Sequence, residues 1–212
     1  MDLNQGTLTI GVQGSNSVVV GADSKGTLGD LLGPIVIGSS RAKKIVVLSD
    51  HVVVAIYGIA EFGENLLREY NDAKKPGTDG VTKVLEDFRK FCKKKWREWF
   101  GGMEIGNQLC LGFLVAGLDQ NDSGEYNIPR MYSIENTLNF APAFHSSGFV
   151  CRGIYSLATF IVDEKYEENM ELDDLISLVD STILRIAQKD PRIGLPVRIA
   201  VIDPEYGARI IR

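Results

Sequence analysis

The period of apolar positions changes several times along the chain, and each change marks an element. Residues 7–12 alternate: Leu8, Ile10 and Val12 are apolar, and Thr7, Thr9 and Gly11 are small or polar, which is the period of a strand. Gly14-Ser15-Asn16 supplies turn chemistry, and 17–22 returns as a second strand. Its run Val18-Val19-Val20 predicts burial on both faces. Residues 26–42, rich in Gly and Ser, predict a long loop, and two short strands follow at 45–48 and 52–57 around the turn Ser49-Asp50. The period then lengthens. Residues 61–70 read as a helix, and Val81, Val84, Leu85, Phe88, Phe91, Cys92 and Trp96 form the stripe of an amphipathic helix. Pro76-Gly77 separates the two.

Strands resume at 108–116 and 127–134, joined by a turn at 119–124. A second helical pair is predicted at 149–162 and along Leu172, Leu175, Ile176, Val179, Ile183 and Ile186, with Pro191 as the stop. Strands at 197–202 and 208–211 close the chain. Helix pairs inserted twice into a set of antiparallel strands predict an α+β fold. It is a four-layer αββα sandwich, two antiparallel sheets face to face with helices outside. No linker, repeat or low-complexity stretch divides the chain, and its 212 residues suit one domain.

Composition narrows the function classes. A net charge of -5 argues against a broad nucleic-acid-binding face. The one basic run, Lys93-Lys94-Lys95-Trp96-Arg97, reads as a solvated helix end. Cys92, Cys110 and Cys151 lack CxxC spacing and sit among apolar residues, as core thiols in a reducing compartment would. Residues 1–6 lack the charged and apolar regions of a signal peptide, and no apolar stretch reaches membrane-span length. The expected location is cytoplasmic, with no nucleic-acid or membrane partner. No cofactor is implied: no residue cluster suits a metal, and no Gly-rich loop suits a phosphate.

The candidate chemistry begins at Gly6-Thr7. The same dipeptide recurs at Gly26-Thr27 and Gly77-Thr78, but only Thr7 opens a strand behind a short leader. Cleavage at Gly6-Thr7 would make Thr7 the N-terminus, so that its hydroxyl is a nucleophile and its own α-amine a base. Such a site needs a cation, a carboxylate to hold it, a backbone N–H for the oxyanion and polar groups around the amine. Asp23 ends the second strand, Lys44 begins the third, Gly58 ends the fourth, Ser147-Gly148 is placed at the opening of the third helix, and Asp190 ends the fourth helix. A Ser-His-Asp arrangement built on His145 and Ser147 lacks the Gly-x-Ser-x-Gly elbow that would support it.

Thr7-Leu8-Thr9-Ile10-Gly11-Val12, Gly21-Ala22-Asp23-Ser24-Lys25, Lys44-Ile45 and the Ser-Gly pair resemble the proteasome β-type subunits. The element order and the Thr7-to-Asp23 and Lys44-to-Gly58 spacings match as well. The resemblance implies the N-terminal nucleophile hydrolase fold and a threonine endopeptidase, with residues 1–6 as propeptide and 7–212 as catalytic domain. By the same resemblance Thr7 is the nucleophile, and Lys44 lowers the pKa of its hydroxyl and amine. Asp23 pairs with Lys44, Gly58 N–H binds the oxyanion, and Ser147 and Asp190 support Thr7. Ile56 and Ala60 would line the pocket for the residue preceding the cut, favouring hydrophobic side chains. Implied partners are polypeptide substrates and other β-type subunits in a ring, with α-type subunits or an ATPase regulator beyond them.

Three positions depart from the family pattern. Gly58 is followed by Ile59 instead of a second glycine, and Ile193 replaces a serine that helps hold the amine. Extra residues between Asp23 and Lys44 leave Lys43 as a competitor for the role of Lys44. A catalytically silent ring subunit and an amidase or transpeptidase of the same superfamily are the alternative functions.

Overall fold

A computed structural model describes residues 7–29, 35–39, 42–74, 77–101 and 110–212. The leader 1–6 and parts of the predicted loop 26–42 lie outside them. The first sheet is built from β1 (Leu8–Gln13), β2 (Val18–Ala22), β10 (Phe149–Gly153), β11 (Arg198–Asp203) and β12 (Gly207–Ile210), in the order β10-β1-β2-β11-β12. The second holds β5 (Ile45–Ser49), β6 (Val52–Gly58), β7 (Leu111–Gln120), β8 (Tyr126–Glu135) and β9 (Ala143–Phe144), in sequence order. All pairings within both sheets are antiparallel. Helices α1 (Ala60–Ala73) and α2 (Val81–Phe100) cover the second sheet, and α3 (Ser156–Lys165) and α4 (Leu172–Ala187) cover the first. This is the α+β architecture the pattern predicts.

Strand parity explains the layers, because successive side chains leave a strand on opposite faces. Leu8, Ile10 and Val12 of β1 pack under α3 and α4. Val19 does the same, while Val18 and Val20 enter the core between the sheets. All three valines are fully buried, as a strand covered on both faces requires. In β6, Val52, Val54 and Ile56 face the helices, and Val53 and Ala55 face the other sheet. Gly11 permits the close approach of the sheets: a Cβ there would stand 2.8 Å from Met131 Sδ and 2.9 Å from Leu114 Cδ2. The helical layer over β6 and β7 is fastened by aromatic edges, with Tyr70 and Phe88 ring centres 5.1 Å apart and Phe88 and Phe113 5.0 Å apart.

Two elements differ from the sequence pattern. The predicted loop 26–42 contains a hairpin of β3 (Gly26–Gly29) and β4 (Ile35–Ser39). The predicted helix 149–162 is β10 followed by α3. The apolar run Phe149-Val150-Cys151 suits a buried strand as well as a helix, and pairing with β1 decides it. The basic run lies on α2, where Lys95 meets Glu69 at 2.8 Å and Glu98 at 3.2 Å, a solvated helix face. No described helix is long and apolar enough to cross a membrane.

Candidate active site

Three residues from three strand ends meet at the start of β1. The β1–β2 pairing continues past Thr9 and Ala22, where Asp23 N donates to Leu8 O at 3.2 Å, so Asp23 lies beside Thr7 and Leu8. Lys44 stands just before β5, with its carbonyl accepting from Ile56 N at 2.8 Å. Its Nζ lies 2.7 Å from Asp23 Oδ1 and 3.3 Å from Thr7 Oγ1. Thr7 is 3% exposed, and Asp23 and Lys44 are wholly buried. The geometry selects Lys44 over Lys43, which is exposed and gives only its backbone N–H to Glu64 Oε1 at 3.2 Å.

A carboxylate so deeply buried must have its oxygens filled. Asp23 Oδ1 accepts from Leu8 N at 3.0 Å besides Lys44, and Oδ2 accepts from Lys25 N at 3.0 Å and Gly194 N at 3.1 Å. Burial pushes the Lys44 pKa below that of a free lysine, while the charge and hydrogen bond of Asp23 oppose the shift. Lys44 is therefore a cation held in place whose proton comes off more readily than usual, in contact with a threonine hydroxyl.

Gly58 closes β6 with φ +84°. Hydrogen bonds from Ile59 N to Cys110 O (3.0 Å) and from Leu118 N to His51 O (3.0 Å) show that odd positions of β6 point their backbone groups at β7. Alternation turns Gly58 N–H the other way, one step past the Ile56 N···Lys44 O bond. It thus looks toward the side where Lys44 enters. Gly58, Ile59 and Ala60 are each partly exposed.

The remaining expected residues stand elsewhere. Ser147 is not beside Thr7. β10 runs antiparallel to β1, pairing Leu8 with Gly153 and Val12 with Phe149, so Ser147 lies past the far end of β1, about 20 Å away by strand rise. Its hydroxyl is exposed and donates to Phe149 O at 2.9 Å. The residues that reach Thr7 from β10 are Gly153 and Ile154, and Ile154 N donates to Thr7 O at 2.8 Å. Asp190 closes its own turn, accepting from Arg192 N (2.9 Å), Nε (3.0 Å) and Nη2 (2.8 Å). These bonds hold its carboxyl below the usual range. Ile193 is buried under the helices of the first sheet. Ile56 is fully buried against α1, and its Cγ2 would be 2.5 Å from a Cβ on Gly63. Ile56 therefore belongs to the core under α1, and only Ala60 of that pair meets solvent.

Sequence reasoning missed Thr9. Its fully buried hydroxyl donates to Ile56 O at 3.1 Å, tying β1 to β6 across the sheets. The threonine two positions after Thr7, on the same strand face, was the available signal. It also missed Gly194 as a backbone donor to Asp23, which no side-chain pattern announces.

His145 takes part in no triad. Its Nε2 lies 3.0 Å from Ser133 Oγ. Burial first, and then the charge of Arg152, push its pKa down to about 4. The folded state keeps the ring neutral, whereas the unfolded chain protonates near 6.5. The stability this ring contributes is therefore lost as pH falls from 6.5 toward about 4, and its contribution is flat below. Discounted for partial exposure, the loss is about 1–2 kcal/mol. Urea unfolding across this range will show that loss in the wild type and a smaller one in His145→Asn; parallel curves would contradict it.

Comparisons with known proteins point to the family that the strand motifs resemble. The proteasome-subunit family model matches residues 3–72. "Proteasome subunit beta 2" of Ignicoccus hospitalis is 24% identical over 208 residues, covering 94% of this chain and 85% of that protein. "Proteasome subunit beta 2" of Aeropyrum pernix is 25% identical over 213 residues, covering 96% and 84%. "Proteasome subunit beta" of Picrophilus torridus is 24% identical over 214 residues, covering 97% and 89%. The resemblance seen in the strand motifs thus extends over most of the chain: residues 3–72 match the proteasome-subunit family model, and at 24–25% identity the chain is similar to these archaeal proteasome β subunits along nearly its whole length.

Proposed function

We propose that the chain is a threonine endopeptidase subunit of a proteasome-like ring, activated by cleavage at Gly6-Thr7. The observation that carries this reading is the buried Lys44 ammonium shared between Asp23 and the Thr7 hydroxyl. In activation, Thr7 Oγ1 attacks the Gly6 carbonyl and the peptide becomes an ester. Water then releases residues 1–6 with a Gly6 carboxylate and frees the Thr7 amine. In turnover, Thr7 Oγ1 attacks a substrate carbonyl and passes its proton to the α-amine, whose reference pKa of about 8 suits a base near neutrality. The hydroxyl stays acidic enough to react because Lys44 stands against it. Gly58 N–H receives the oxyanion. The amine proton goes to the leaving nitrogen, and water hydrolyses the acyl-threonine. Polypeptides are the substrates, and neighbouring β-type subunits enclose the site.

A second reading, a ring member that keeps its leader and does not cleave, draws on Ile154 and Ile193. Both are apolar and lie at the turns beside Thr7 and Asp23, where groups holding an amine would stand. Intact mass of the purified protein separates the two. The expected mass is that of residues 7–212, with Thr7→Ala retaining residues 1–6. A peptide epoxyketone should add to the processed wild type through both the hydroxyl and the amine of Thr7. A wild type that retains Gly6 and takes no adduct overturns the peptidase reading.

A further inference from the structure

We propose that Thr9 is a positioning residue that sets the separation between the Thr7 hydroxyl and the Gly58 N–H; the inference rests on the peptidase reading above. The two groups belong to different sheets, Thr7 to the start of β1 and Gly58 to the end of β6. Nothing within either sheet fixes their spacing. The link must cross the core between the sheets. Lys44 crosses it to Asp23 and Thr7, and two further polar connections do so on the Gly58 side.

The first is direct. Thr9 Oγ1 donates to Ile56 O at 3.1 Å, joining a point two residues after the nucleophile to one two residues before Gly58. Both ends are fully buried, so water cannot replace the bond. The second is a network one strand further out. Tyr57, which immediately precedes Gly58, is 3% exposed and its hydroxyl donates to Glu135 Oε1 at 2.9 Å. The Tyr57 ring lies against Gly112, where a Cβ would be 2.2 Å from it. Across the gap, Arg152 of β10 pairs in register with Thr9. It gives Nη2 to Ser133 Oγ at 3.1 Å and brings Nε to 4.0 Å from Glu135 Oε1. The next residues of that strand, through Ile154 N, hold the Thr7 carbonyl. The strand end bearing the nucleophile and the strand end bearing the oxyanion donor are thus tied on two sides.

An oxyanion donor acts only when placed for the tetrahedral state, so a small displacement costs turnover more than substrate affinity. Thr9→Val keeps the shape and removes the donor. In the processed protein it is expected to lower kcat about tenfold while KM moves less than about twofold. Thr9→Ser, which keeps the hydroxyl, should restore kcat. A peptide boronate, which mimics the tetrahedral state, should lose affinity in step with kcat, whereas a matching uncleavable peptide should not. Tyr57→Phe removes only the hydroxyl and should lower kcat about threefold with the same KM behaviour, and it serves as the test where Thr9→Val does not fold. If the wild type takes the epoxyketone adduct but Thr9→Val and Tyr57→Phe keep wild-type kcat and boronate affinity, the positioning role is wrong and the peptidase reading stands. If the wild type takes no adduct and turns over no peptide, both fall.

Discussion

Asp23→Asn is expected to lower the proposed peptide hydrolysis at least about a hundredfold and the unfolding free energy by about 3–5 kcal/mol, more than Lys44→Met does. The order follows from what each substitution leaves behind. In Asp23→Asn one carboxylate oxygen becomes an NH2 group. On the Oδ1 side it would meet Leu8 N and Lys44 Nζ; on the Oδ2 side, Lys25 N and Gly194 N. Either rotamer sets donors against donors in a site with no solvent, and the Lys44 cation loses its counter-charge. In Lys44→Met the carboxylate keeps its three backbone N–H donors, so the buried charge is still partly satisfied. Activity suffers in both, by at least about a hundredfold, because the cation beside Thr7 Oγ1 is misplaced or gone. Urea unfolding of the two single variants and the double variant reads the coupling. The double variant should cost less than the sum, because each partner's absence removes the reason for the other's penalty. Additive losses, or a Lys44→Met that is the worse of the two, would contradict the arrangement.

The part of the site that sequence made legible is the part carried by strand ends. Thr7 and Asp23 are brought together by a short hairpin, whose register is set by alternating burial on β1 and β2. Lys44 and Gly58 follow because β5 and β6 form the next hairpin, with Lys44 just before β5 and Gly58 at the end of β6, both at its open end. Ser147 failed for a definite reason. An apolar run that leads into a helix was read as the helix itself, and once 149–153 is a strand antiparallel to β1, the residue before it goes to the far end. Ile56 failed on parity. One residue along β6 changes which face a side chain takes, and the even positions belong to the helical layer. Thr9 was readable as a strand residue but not as a bridge, because its acceptor is a backbone carbonyl in another sheet. Asp190 was placed at the correct turn, yet Arg192, two residues on, claims its carboxylate.

Gly58→Ala carries the other large effect, and it separates an oxyanion role from a structural one. Two costs act at this position. The backbone sits at φ +84°, which an alanine adopts at about 1–2 kcal/mol. The new Cβ would also stand 2.1 Å from Cys110 O, 2.9 Å from Cys110 C and 3.2 Å from Leu111 Cα. These are backbone atoms of β7 and its approach, so no side chain can turn aside to make room. The peptide after Gly58 must shift, loosening the Ile59 N···Cys110 O bond and re-aiming the Gly58 N–H. Gly124 supplies the control: it has the same φ of +84° with nothing within 4 Å of its Cβ position. Gly124→Ala should cost only the conformational term and leave turnover unchanged. Gly58→Ala should cost about 2–4 kcal/mol and lower kcat by about a hundredfold or more, the loss expected when an oxyanion donor is removed. Assays well below both melting temperatures keep the stability loss out of the rate. Equal destabilisation of the two variants, with turnover retained in Gly58→Ala, would show that the turn is not crowded and that the oxyanion is held elsewhere. The expected inequality would tie the loss of rate to the Gly58 N–H, which the alternation of β6 turns toward the side where Lys44 enters.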